Sequence, residues 1–191
     1  MSGEHAAGAP HDHDKRFHGG AERLRAPERL ALMEIPRVVQ LSAEGADILS
    51  VLDVGTGAGV FAQAFAERSL KVTGIDPNLE LLEMARTGVP AAAFVEATAE
   101  VLPFADGSFD LVFLAHVLHE TDDPEAALRE ARRVARTRVA ILEWPYRRED
   151  KGPPLEHRLK PERIAQAAAR AGFTAVERIE LVHMDFYRMT P

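Results

Sequence analysis

The sequence predicts an α/β fold of three layers, helices on both sides of a twisted, mostly parallel sheet. Strand-sized apolar runs alternate with amphipathic helical segments along most of the chain. A glycine-rich turn stands between the first of those runs and the helical segment that follows it. With 46% hydrophobic and 28% charged residues, the composition is that of an ordinary globular protein. At 191 residues the chain has room for one domain with a real core, and not for two of ordinary size.

Taken in order, residues 1–20 are polar and hold His5, His11, His13 and His18, half of the eight histidines. They read as a mobile arm preceding a single domain over 21–191. Over 21–41, Leu24, Leu30, Met33 and Val38 recur at roughly helical spacing, but Pro27 and Pro36 cannot donate a helical hydrogen bond, so short helices are expected. A strand over 48–54 and a helix over 60–68 form the first βα unit. Further strands are predicted over 71–75, 92–97, 110–115 and 138–144, with helices over 79–86 and Pro124–Val134 between them. A last helix over 161–171 has Pro161 at a favourable first-turn position and ends before Gly172, where a C-terminal cap glycine belongs. Residues 173–189 are mostly strand-like.

The run Asp53-Val54-Gly55-Thr56-Gly57-Ala58-Gly59 sets alternate glycines between strand and helix, where missing side chains let the backbone approach a ligand. Asp76 follows 23 residues after Asp53, ending the second strand. That is about the ~20-residue interval from which an acid accepts hydrogen bonds from ribose hydroxyls. A plain tight turn, with Asp76 capping the helix that begins near Pro77, is the alternative. A dinucleotide fingerprint needs a small third residue where this chain has Val60, and Asp53 would meet a pyrophosphate with like charge. A cationic ligand group suits Asp53 better.

The formal charge of −7 opposes a phosphate backbone, so nucleic acid is not expected as a partner. With no cysteine in the chain, disulfides, thiolate metal sites and cysteine nucleophiles are excluded. No apolar run approaches membrane-spanning length, and the amino terminus lacks the apolar core of a signal peptide, so a cytoplasmic location is expected.

These residues resemble the class I S-adenosylmethionine (SAM)-dependent methyltransferases, in particular the small-molecule group of methyltransferase type 11 with a Leu-Pro-Phe signature. The resemblance runs from about Ser50 to Phe173. It rests on the glycine loop, Asp76, the run Ala99-Glu100-Val101-Leu102-Pro103-Phe104-Ala105-Asp106-Gly107-Ser108-Phe109-Asp110, and His116-Val117-Leu118-His119-Glu120 followed by Asp123-Pro124. Arg129-Glu130 and Arg133-Val134 also fall where that family has them. The resemblance implies a Rossmann-like methyltransferase fold with seven strands, and SAM as cofactor. It implies that Asp53, Gly55, Thr56, Gly57 and Gly59 hold the methionine end. Asp76 with Pro77 then takes the ribose, Thr98 and Ala99 flank adenine, and Ala115 and His116 lie beside the methionine.

This chain departs from the family pattern in three places. Thr98 stands where an Asp usually receives the adenine amino group. Val134-Ala135-Arg136-Thr137-Arg138 replaces a Pro-Gly-Gly turn before the fifth strand. Val182-His183-Met184-Asp185 offers no Gly or Asn turn, so the last hairpin either turns tightly near His183 or has one strand curtailed.

Transfer of a methyl group needs an in-line nucleophile at near-attack distance, and positioning alone lowers such barriers by roughly 7–11 kcal/mol. If the acceptor must lose a proton, His119 and His116 are the best-placed bases, because histidine titrates near working pH. Plain packing or capping is the alternative for both. Glu143 is placed either to orient an acceptor hydroxyl or amine or to serve the structure, and Trp144 and Tyr146 either to wall the pocket or to pack in the core. Arg147, Arg148, Lys151, Arg158 and Lys160 suggest an acidic small molecule, or else a solvated charged loop, since Glu149, Asp150 and Glu156 are interspersed. His11, Asp12, His13 and His18 offer adventitious metal ligands, and 17–20 a flap over the cofactor. The expected function is methyl transfer to an unidentified small molecule. A non-catalytic SAM-binding or regulatory protein is the other class, and an NAD-dependent oxidoreductase a third. Oligomeric state is not legible in the sequence.

Overall fold

The structure, a computed structural model, describes residues 21–191; the histidine-bearing arm lies outside the described residues. Pro27 and Pro36 start helices rather than interrupt one. A 3-10 turn at Ala21–Arg25 leads into helix α1 (Pro27–Leu32) and then α2 (Ile35–Ala43), each with its proline in the first turn, where the missing N–H has no helical partner to lose. The rest alternates as predicted. Strand β1 (Ser50–Val54), helix α3 (Val60–Ala66), β2 (Lys71–Asp76), α4 (Leu79–Gly88) and β3 (Ala93–Glu96) are followed by β4 (Phe109–Ala115), α5 (Pro124–Val134), β5 (Ala135–Glu143), α6 (Pro161–Arg170), β6 (Val176–Glu180) and β7 (Asp185–Met189).

The seven strands form one sheet in the order β3-β2-β1-β4-β5-β7-β6, parallel except for β7, which runs antiparallel to both of its neighbours. Neither hairpin strand is curtailed. The chain reverses between Glu180 and Asp185, with Leu181 N donating to Met184 O at 2.9 Å, so a tight turn near His183 does the work without Gly or Asn. The strand before it begins earlier than the sequence predicts. Helix α5 passes into β5 with no intervening loop, and Ala135 pairs with Phe109 before a register shift brings Leu111 opposite Arg138. An Arg136–Asp110 ion pair and an Arg136 Nη2 bond to Gly107 O (2.8 Å) take the place of a turn motif.

Each sheet face buries its own core. On one, Leu52, Val112, Leu114, Ile141 and Tyr187 meet Leu128 and Ala131 of α5 and Ile164 of α6. On the other, Val51, Leu111, Phe113 and Leu142 meet Val38 of α2 and Phe61 and Phe65 of α3. Continuous burial along β4 is what a parallel strand covered on both faces requires. The Leu-Pro-Phe segment is tied to α5. Arg133 donates to Leu102 O and Phe104 O at 3.0 and 2.7 Å, and Leu102 N donates to Glu130 at 2.9 Å. Strand order reverses direction between β1 and β4, and a crevice at the carboxyl ends of strands around such a point is where open α/β sheets take ligands.

Candidate active site

One cavity of about 1390 Å³ opens at that crevice. Its walls include Gly55, Gly57, Asp76, Pro77, Thr98, Ala99, Ala115, His116 and His119, so most of the predicted site residues converge on one space. It exceeds the ~300–1,000 Å³ of a typical small-ligand pocket, enough for a cofactor and an acceptor together.

At the β1–β2 end the backbone does most of the work. Gly55 has φ +65°, and a Cβ there would stand 2.4 Å from Val117 Cγ2, so only glycine lets the loop lie against the segment after β4. Gly57 N donates to Asp76 Oδ2 at 2.9 Å, and Asn78 N to Asp76 Oδ1 at 2.9 Å. Asp76 thus locks the loop to the second strand while remaining on the cavity wall; burial raises its pKa. Gly59, at φ +77°, starts α3, and a Cβ there would come within 3.1 Å of Ala85 in α4. Ala97, Thr98 and Ala99 continue the wall, with Thr98 exposed.

Asp53 sits differently from the sequence expectation. It is 2% exposed, lies beneath the loop rather than on the cavity wall, and accepts a 2.7 Å bond from Thr56 Oγ1. Burial pushes its carboxyl up to about 7, against the hydrogen bonds from Thr56 and the Ala62 backbone, with the Asp76 charge adding to the rise. Its place in the strand explains this: the glycine loop folds back over the carboxyl end of β1, and Thr56 N bonds to Ile75 O at 2.8 Å. Asp53 and Thr56 brace the loop from below.

The β4–β5 end is assembled from side chains. His116, at φ +60°, stacks on Trp144 with ring centroids 5.1 Å apart. Its Nδ1 lies 3.2 Å from Arg29 Nη2 and its Nε2 3.3 Å from Met184 Sδ. A guanidinium only donates, so Nδ1 accepts and Nε2 carries the hydrogen that faces the sulfur. Burial, then the charges of Arg29 and His119, hold its pKa well below the usual histidine range, in keeping with that neutral form.

His119 is the contrasting case. It lies in a turn after β4, not on a helix, with Nδ1 2.8 Å from Glu143 Oε2. Burial alone would lower its pKa, but the charge and hydrogen bond of Glu143, reinforced by Glu120, raise it. Glu143 is 1% exposed and also accepts from the backbone N–H of His119 and of Trp144, both at 3.3 Å. It therefore orients His119 and does not reach the cavity, where the sequence reading had it meeting the acceptor.

Trp144 lines the cavity; Tyr146 does not, and stands outside under Lys160 Nζ at 5.3 Å. The basic loop is mostly committed internally. Buried Arg158 donates to the carbonyls of Pro145, Arg147, Lys151 and Pro153 and reaches Glu149, and Arg147 bonds Glu149 and Val182 O. Lys151 and His157 remain on the cavity wall. Sequence reasoning missed Arg29, which α1 delivers to the far side of the cavity, since nothing in its local spacing marks it. Among the described residues no His/Asp/Glu cluster has the arrangement to hold a metal ion.

The residues present fit SAM. Bare loop backbone at Gly55 and Gly57, a carboxylate on the wall after β2 and the apolar Ala97 and Ala99 provide for a nucleoside bearing an amino-acid tail. Residues 52–142 match the family model described as "Methyltransferase domain". A solved structure of a SAM-dependent methyltransferase from Aquifex aeolicus superposes with TM-score 0.80 at 27% identity, covering 89% of this chain and 96% of that one. This chain carries a SAM-dependent methyltransferase domain. Curated relatives of the domain include the methyltransferase YcgJ of Bacillus subtilis, 39% identical over 89 residues, and a demethylmenaquinone methyltransferase of Renibacterium salmoninarum, 36% identical over 98. Those matches cover 44% and 50% of this chain and 35% and 41% of the relatives, so the chain spans less than half the length of either. No helix of the methyltransferase domain, among the described residues, is long and apolar enough to cross a membrane.

Proposed function

We propose that this chain transfers a methyl group from SAM to a small-molecule acceptor whose nucleophilic atom gives up a proton to His119. The observation that carries the reading is His119 on the cavity wall, held from behind by buried Glu143 at 2.8 Å. SAM supplies an electrophilic methyl group on a positively charged sulfur. Gly55, Gly57, Asp76, Pro77, Thr98, Ala99 and Ala115 form its pocket, with Asp53, Thr56 and Gly59 keeping the loop in shape.

Glu143 accepts the Nδ1 hydrogen of His119, which leaves the lone pair on Nε2, 3.7 Å from Glu120 Oε1. With SAM bound, transfer of its methyl group would leave S-adenosylhomocysteine, the acceptor's proton would pass to His119 Nε2, and Glu143 would stabilise the resulting imidazolium. His116, whose nitrogens are both engaged, holds the wall instead of moving a proton. The net charge of −7 disfavours nucleic acid, so a small, cytoplasmic acceptor is proposed.

The test is acceptor-dependent release of S-adenosylhomocysteine across a panel of hydroxyl and amine compounds, with His119→Asn alongside the wild type. General-base catalysis contributes roughly 10²–10⁴-fold, and the variant should lose that much turnover while still binding S-adenosylhomocysteine. A variant as active as the wild type would remove His119 from the chemistry. Tight SAM binding with no product from any acceptor would favour the non-catalytic SAM-binding reading.

A further inference from the structure

With His119 as the base, the reading on which this inference rests, the charge on Glu143 decides how strongly the ring draws a proton. Glu143 has a second carboxylate behind it. In the pairing of β5 with β7 it stands directly opposite Asp185. Residues so placed in an antiparallel pair point to the same face of the sheet, with Cβ atoms about 4.5–5.5 Å apart. Both are buried, Glu143 at 1% and Asp185 at 2% exposure. Like charges directly opposite one another are unfavourable, and burial removes the water that would screen them.

The fold offsets that cost from the strand beyond. Arg178, on the edge strand β6, donates from Nη2 to both oxygens of Asp185, each at 3.0 Å, and reaches exposed Glu180 at 3.1 Å. Tyr187, two residues along β7 from Asp185, senses the same grouping. Burial and then the Asp185 charge raise its pKa, Arg178 opposes the rise, and Glu143 adds to it. Its phenol therefore stays protonated and brings no countercharge. Glu143 itself is met by hydrogen-bond donors of His119 and the Trp144 backbone. On the sheet side of Glu143, the guanidinium of Arg178 is thus the positive charge that balances Asp185. On the cavity side His119 faces Glu120 at 3.7 Å, the Arg29 charge from α1 and the neutral ring of His116 after β4.

We propose that Arg178 and Asp185 are positioning residues of the reaction, a charge pair that acts on His119 through Glu143. Arg178 makes it favourable for Glu143 to stay ionised opposite Asp185, and Asp185 keeps Arg178 from pairing with Glu143 in place of His119. The two members act with opposite sign. Without the guanidinium, two uncompensated carboxylates face each other, and the group of His119, Glu143 and Asp185 holds its proton more tightly. Without the Asp185 charge, the guanidinium is left beside Glu143, and the proton is released more readily.

The experiment follows the His119 imidazole by NMR against pH in the whole chain saturated with S-adenosylhomocysteine, its signal identified by its absence from His119→Asn. A charge within ~4–6 Å moves such a titration by roughly 1–3 pH units, and at one residue further off about half a pH unit or more is expected. Arg178→Gln should move the midpoint to higher pH and Asp185→Asn to lower pH. The double variant should return toward the wild-type midpoint, and Arg178→Lys should stay near it. The limb of kcat/KM for any acceptor that is methylated should follow the same order. A pair that only braces the hairpin would lower Tm in both single variants without opposite shifts. Shifts of one sign, no shift in either single variant, or a double variant displaced further than both would each overturn the assignment. Should Asp185→Asn fail to fold, the sign of the shift in Arg178→Gln, a substitution on the edge strand, still decides. If the midpoints move as stated while His119→Asn keeps full turnover, the base reading fails and the charge coupling stands.

Discussion

The two ends of the cavity are built on different principles. At the β1–β2 end the groups that matter lie within a short stretch from Asp53 to Asn78, and many are backbone: Gly57 N to Asp76, Thr56 N to Ile75 O, Asn78 N to Asp76. At the β4–β5 end, Arg29, His116, His119, Glu143, Trp144 and Met184 arrive from α1, two strand ends and the hairpin turn. A cofactor that is chemically constant can be met by a local motif whose side chains are missing or fixed. An acceptor is met by side chains brought from distant segments, each of which can change without disturbing the loop that holds the cofactor.

The sharpest way to separate the two ends is Glu143→Gln. The substitution keeps the shape and an oxygen for His119 Nδ1 but removes the charge that holds the His119 pKa above the ordinary histidine value of 6.5. Catalysis needs the unprotonated ring, so the wild-type kcat/KM should rise with pH through a limb lying above 6.5. Without the Glu143 charge, burial and the Arg29 charge lower the pKa against Glu120 alone, and the limb should move to lower pH. Turnover above the limb should fall by about 10² or more, since a triad-type orienting carboxylate is worth up to ~10⁴ elsewhere. S-adenosylhomocysteine affinity should stay near wild type. An unmoved limb in the pH profile would show that Glu143 does not tune the base.

Asp76→Ala tests the opposite end and should do the reverse. Loss of hydrogen bonds to a charged acceptor costs about 1.5–3 kcal/mol, so SAM should bind several-fold to a hundredfold more weakly by calorimetry. The released Gly57 N–H adds to the loss by loosening the loop. The pH limb of the variant at saturating SAM should match the wild type. An unchanged affinity would show that Asp76 only ties the loop and receives no ribose.

The same division explains what was readable in the sequence. The alternation of strands and helices, the glycine loop and Asp76 are local patterns of spacing and residue type, and helix α5 runs from Pro124 to Val134 as predicted. His116 and His119 were readable as candidates because a strand end places them, but their opposite protonation behaviour was not, because it depends on Arg29 and on Glu143, 87 and 24 residues away in the chain. Asp53 was misplaced for a related reason: the sequence gives the spacing of a carboxylate from a glycine and not the direction in which the folded loop covers it. The early start of β5 was missed because a helix running straight into a strand leaves no turn residue to mark the boundary.

The smallest effect asks whether a cap near the cofactor differs from the same cap elsewhere. Asn78 Oδ1 accepts from Glu80 N and Leu81 N at 2.9 and 3.3 Å at the start of α4, and Asp123 Oδ1 accepts from Glu125 N and Ala126 N, both at 3.0 Å, at the start of α5. Replacing either by Ala removes an N-cap worth about 1 kcal/mol. In a chain of this size that lowers Tm by roughly 2–4 °C. Asp123→Ala should give the slightly larger thermal shift, because its carboxylate is charged at a helix N-terminus and lies 3.9 Å from Arg129. The two variants should also differ in SAM affinity, because Asn78 alone lines the cavity and donates its backbone N–H to Asp76. Asp123→Ala should bind SAM as the wild type does, and Asn78→Ala more weakly, though less so than Asp76→Ala. Equal SAM affinities in the two cap variants would mean that the β1–β2 end tolerates a frayed helix beside it, and that Asp76 with the glycine loop defines that end without α4.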